Sequence, residues 1–165
     1  MTGATKPVLL FFGTLLPLAN VEPQAECIAV REALEEIAAG RLDPDRLRVT
    51  YDDLHGLWGG LRLVIAGTGR VEQTAVRVKA GEPRRVSRKD LVNLAALLVR
   101  HAAWEQRVPA RAAAPDETKT SLTISYGRSS ATIWEWHNDL VKNRRIGSIG
   151  DSMKAIAWKD PEQSH

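Results

Sequence analysis

Residues 61–66 and 70–78 are two β-rich runs that meet at Gly67, Thr68 and Gly69, where glycine supplies positive φ at little steric cost. The pattern predicts a β-hairpin. A second one follows at 121–126 and 131–136, joined by Gly127, Arg128, Ser129 and Ser130. Between the hairpins, Ser87 stands three residues before Asp90 and approximates a capping box. The helix it opens carries Leu91, Leu94, Ala95, Leu98 and Val99 on one apolar face.

Upstream, Glu22, Pro23 and Glu26 suit a first helical turn, and Ile28, Leu34 and Ile37 fall near helical spacing until Gly40 supplies a stop. Asp43, Pro44 and Asp45 make a turn, and residues 47–51 alternate like an edge or half-buried strand, with 52–55 connecting onward. Gly56, Gly59 and Gly60 bracket Leu57 and Trp58, which reads as a bulge or a close backbone approach. A phosphate loop would need a helix opening with Lys-Ser/Thr, and none follows. Residues 108–120 lack a period and predict an exposed, mobile loop. After the second hairpin, Asn138 or Asp139 can cap a last helix, interrupted near Gly147 and Gly150, that turns Ile146, Ile149, Met153, Ile156 and Trp158 inward.

These elements predict an α+β fold, an antiparallel sheet of two β-hairpins with helices packed on one face. The expected organisation is a helix and turn over 21–45, a single α+β domain over 46–158 and a frayed tail over 159–165. Residues 1–20 read two ways. The apolar stretch 8–19 has the length of a signal-peptide core and is too short to span a bilayer, yet residues 8–12 fit a buried strand equally well. Cleavage after Ala19 or Ala25 would put Pro17 or Pro23 where a small residue belongs.

Composition narrows the classes. The 165 residues are 44% hydrophobic and 26% charged, near globular averages, which excludes a disordered or collagen-like chain. A net charge of +3 is too small to indicate nucleic acid by itself. The single cysteine, Cys27, excludes an intrachain disulfide and reads as a small core residue rather than a nucleophile.

The titratable residues offer one constellation. His55, His101, His137 and His165 show neither i, i+4 spacing nor a neighbouring cysteine, so the pattern marks no metal site and implies no cofactor. Glu135 and His137 occupy alternate strand positions that share a side, and could serve a small hydrolase as acid and base. Nearby Ser129 and Ser130 lack the Gly-x-Ser-x-Gly elbow of a hydrolase nucleophile. Trp134 and Trp136 also share a face, and such a pair either fills a core, the expectation here, or makes a recognition platform. Arg84, Arg85, Arg88, Lys89 and the run from Lys142 through Arg144 and Arg145 could border such a platform and attract an acidic ligand.

The element order, with the Ser87-capped helix and the loop at Pro115, Asp116 and Glu117, resembles a group of uncharacterised bacterial domains of unknown function, often found in exported proteins. The similarity covers residues 47–158, and the chain departs from the group in lacking a cysteine-proline pair before the first hairpin. The resemblance implies the fold and favours export over a cytoplasmic location; it carries no catalytic residue. The expected function is therefore a non-enzymatic binding or interaction module for a protein or acidic ligand, with a Glu135 and His137 hydrolase as the rival and nucleic-acid binding third.

Overall fold

The computed structural model describes residues 23–107 and 111–158. The two readings of residues 1–20 and the frayed tail lie outside them. Helix α1 (Pro23–Ala38) is followed by a 3₁₀ turn and the strands β1 (Leu47–His55), β2 (Gly59–Ala66) and β3 (Val71–Val76). Helix α2 (Arg88–Arg100) leads to β4 (Lys119–Tyr126) and β5 (Ser129–Trp136), and the short helix α3 (Leu140–Asn143) to α4 (Arg145–Ala157). The strands form one antiparallel sheet in the order β3-β2-β1-β4-β5.

Strand alternation divides the sheet into two faces. Leu47, Val49 and Tyr51 of β1, Leu61, Leu63 and Ile65 of β2, Leu122 and Ile124 of β4, and Ala131 and Ile133 of β5 are all buried. Helix α1 lies on β4 and β5, α4 on β2 and β4, and α2 packs against both helices. Each helix contributes an i, i+3, i+4, i+7 stripe: Val30, Ala33, Leu34 and Ile37 from α1, and Leu91, Leu94, Ala95 and Leu98 from α2. The capping box is present, with Ser87 Oγ accepting from the Asp90 amide at 3.1 Å. The α+β class and both hairpins stand as expected.

Two local expectations are corrected. Of the two readings of residues 47–51, the half-buried strand holds and the edge does not: β1 is the nine-residue central strand, and 52–55, expected as a connection, belong to it. Pairing with β2 through His55 and with β4 as far as Asp52 holds β1 extended, which outweighs the poor strand propensity of adjacent aspartates. The break in the last helical region falls at Arg144, in the left-handed conformation with φ 51°, rather than near Gly147 and Gly150, and neither Asn138 nor Asp139 supplies a side-chain cap. Gly150 instead seats α4 on the sheet, because a Cβ there would stand 2.5 Å from the Tyr51 ring. The described part of the 108–120 loop is exposed over 111–116, as expected, and carries ion pairs: Arg111 reaches Glu117 Oε1 at 2.5 Å and Asp139 Oδ2 at 3.0 Å.

Candidate functional site

The inward face of the sheet changes character toward one end. Successive cross-strand rows run Val71, Ile65, Val49, Ile124 and Ala131, then Gln73, Leu63, Tyr51, Leu122 and Ile133. In the next row Asp53 lies opposite Leu61, and Thr120 lies opposite Glu135. Beyond it stand His55, Thr118 and His137, the last donating its backbone amide to the Thr118 carbonyl at 3.0 Å. Apolar rows thus lie beneath the helices and polar ones emerge past them.

Asp53 Oδ1 is the hub. His55 Nε2 lies 3.0 Å from it, His137 Nδ1 2.8 Å, and the Thr120 hydroxyl donates a short hydrogen bond to the same oxygen. Thr118 Oγ1 approaches His55 Nε2 at 3.3 Å. The two imidazoles meet edge to face, with centroids 5.0 Å apart. Exposure is graded across the cluster: the His55 side chain is 7% exposed, Asp53 19% and His137 46%. Burial, and then the Asp53 carboxylate, push the Tyr51 phenol well above its ordinary value.

Gly60 allows β2 to pass this close to the hub. Its φ is +131°, and a Cβ there would stand 1.9 Å from the Asp53 carbonyl oxygen. The close backbone approach read from the glycines is therefore real. Trp58, in the turn between β1 and β2, is 71% exposed. Together with His55, His137, Asp116, Thr118 and Asn138 it lines a cleft of about 470 Å³.

The far wall of the cleft is braced by charge. Glu117 is almost wholly buried, accepts from Arg111 and from the Ala114 amide at 2.9 Å, and its carboxyl is held down at about 2, first by the Arg111 hydrogen bond. Since Arg111 also grips Asp139 beside His137, the loop and the histidine turn are locked together.

Comparison with known protein families, with characterised proteins and with solved structures finds no match to this chain. The site must be interpreted from its own chemistry.

The residues singled out in the sequence do not form one site. His137 joins the cluster, but Glu135 is buried toward α3, accepts from Asn143 Nδ2 at 2.9 Å and leaves Oε2 without a partner. Burial raises its carboxyl pKa, an effect opposed by Arg145. Trp134 and Trp136 are not core residues, contrary to expectation. They lie half-buried on the outer face, edge to face at 5.1 Å, with Lys119 Nζ 3.9 Å above the Trp134 ring. Arg145 borders no platform: it is 5% exposed and donates to the His101 carbonyl at 2.9 Å and to the Ala102 carbonyl. Arg144 is exposed at the break before α4. Cys27 is partly buried against the core, as a small apolar residue would be.

Sequence spacing missed Asp53, His55, Thr118 and Thr120. Asp53 and His137 are 84 positions apart, so no local period joins them. The usable signal was parity: Asp53 and His55 continue the alternation of Val49 and Tyr51.

Proposed function

We propose that this protein is a non-enzymatic ligand-binding module whose binding site is the histidine-lined cleft at the end of the sheet. The supporting observation is the convergence of His55, His137 and Thr120 on one oxygen of Asp53, with the two imidazoles also lining a cleft bordered by the exposed Trp58. Convergent polar groups in a concave site, with an aromatic ring at its rim, suit a small polar ligand. A nucleophile relay is a poor fit. Such a relay places the hydroxyl on one ring nitrogen and the carboxylate on the other, whereas Thr118 and Asp53 both face Nε2 of His55.

One observation favours hydrolysis as a second reading. Asp53 holds Nδ1 of the half-exposed His137, which leaves Nε2 for a water, the arrangement of a histidine general base. The two readings are separated by screening the purified chain for esterase, phosphatase, amidase and nuclease turnover, alongside folded His137→Ala. No turnover that depends on His137 is expected; a loss of about a hundredfold in the variant would make the protein an enzyme. An NMR fragment screen then locates binding. Shifts centred on the Trp58 indole and the His137 ring are expected, and shifts confined to other surfaces would overturn the reading.

A further inference from the structure

We propose that Asp53, His55 and His137 bind a divalent transition-metal ion of the zinc class, a site that rests on the binding-module reading and names its ligand. The three ligand atoms all lie within 4.8 Å of one another. Two ligand atoms bound about 2.0 to 2.1 Å from one ion, at right to tetrahedral angles, stand about 2.9 to 3.4 Å apart. The 3.0 Å separation of His55 Nε2 from Asp53 Oδ1 falls in that range and the 2.8 Å of His137 Nδ1 just below it, while the two nitrogens, within 4.8 Å of each other, would have to stand no more than about 4.2 Å apart to share the ion.

The hydrogen bonding of the cluster points the same way. Two imidazole nitrogens and the Thr120 hydroxyl crowd a single carboxylate oxygen. A cation among them would take the nitrogen lone pairs and the carboxylate charge together, leaving Thr120 to orient the carboxylate from behind. Imidazole nitrogen favours zinc, copper, nickel or iron, whereas calcium and magnesium prefer all-oxygen sites. With three protein ligands, and with His137 half exposed on the cleft side, the ion would keep a coordination position open toward the cleft. A donor atom of a bound ligand, or water, would fill it.

The test titrates the full chain, stripped with chelator, with Zn²⁺ by calorimetry, and with Co²⁺ by visible absorption, whose d–d bands report nitrogen and oxygen coordination. One equivalent is expected, unaffected by excess Mg²⁺ or Ca²⁺ and weakening as pH falls because protons compete for the same atoms. His137→Ala and Asp53→Asn should each weaken Zn²⁺ by at least about tenfold, and Thr120→Val by about tenfold through loss of the carboxylate's orienting partner. His55 is buried and its replacement risks the fold, so the decisive comparison uses the half-exposed His137. Absence of Zn²⁺ binding, or equal affinity in wild type and folded His137→Ala, would overturn the metal site. If fragments still mapped to the cleft in that case, the binding-module reading would survive alone. Turnover that appears only with metal and requires His137 would support the metal site and overturn the non-enzymatic reading instead.

Discussion

Glu117 shows how one buried carboxylate can fix a loop that the sequence reads as exposed. Its pKa falls from the ordinary 4.5 to about 2, chiefly through the hydrogen bond from Arg111. A pKa lowered by folding means that the unfolded chain binds more protons, so this link stabilises the fold above about pH 4.5. The contribution is lost as pH falls through about 2. Melting temperatures of wild type and Glu117→Gln are therefore expected to differ at pH 7 and to converge as pH drops from 4.5 toward 2. A gap that stays constant over that range would show that the Arg111 pairing is not its source. Because Arg111 also holds Asp139, the variant should disturb the His137 ring resonances as well.

At the scale of elements, β5 is the informative strand. Its inward residues Ala131 and Ile133 belong to the core, while Trp134 and Trp136 stand on the outer face under Lys119. As an edge strand it has backbone groups to satisfy, and the Gln106 side chain does this at Trp134, accepting from its amide at 2.8 Å and donating to its carbonyl at 3.1 Å. Trp134→Ala is expected to cost about 1 to 2 kcal/mol, the scale of a lost aromatic pair plus partial burial. Leu122→Ala, in the sealed core, should cost about 2 to 5 kcal/mol. Denaturant unfolding of the two variants checks the order, and equal losses would place the indole in the core after all.

Across the whole molecule, Arg145 joins the last helix to the end of α2. Its guanidinium bonds the His101 and Ala102 carbonyls, which follow the final turn of α2 and need donors once buried. Burial lowers its pKa, with Arg107 adding to the effect and Glu135 opposing it. Arg145→Ala is expected to destabilise by about 1 to 3 kcal/mol, since it removes the guanidinium bonds and takes the side-chain donor from the half-buried His101 carbonyl, while the Ala102 carbonyl keeps the Glu105 amide. A change within about 0.5 kcal/mol, the range of ordinary surface substitutions, would contradict that role. Arg144→Ala, at the exposed neighbouring position, gives the comparison.

Much of the fold was legible in the residues themselves. The two hairpins, the Ser87 cap and the apolar stripe of α2 are local patterns, specified by turn chemistry and by periods of about 2 and 3.6 residues. The length of β1 was not legible, because Asp52 and Asp53 have low strand propensity and only pairing with β2 and β4 holds them extended. The candidate site depended on that extension. Once β1 runs on to His55, alternation carries Asp53 and His55 to the inner face, and the β4 and β5 register brings Thr120 and His137 beside them. Alternation is a property of the local chain, and so the sequence by itself determined which side of a strand each residue could occupy. Register and strand order depend on hydrogen bonds between distant segments, and so only the tertiary structure decided that Asp53 and His137 would meet while Glu135 turned into the protein.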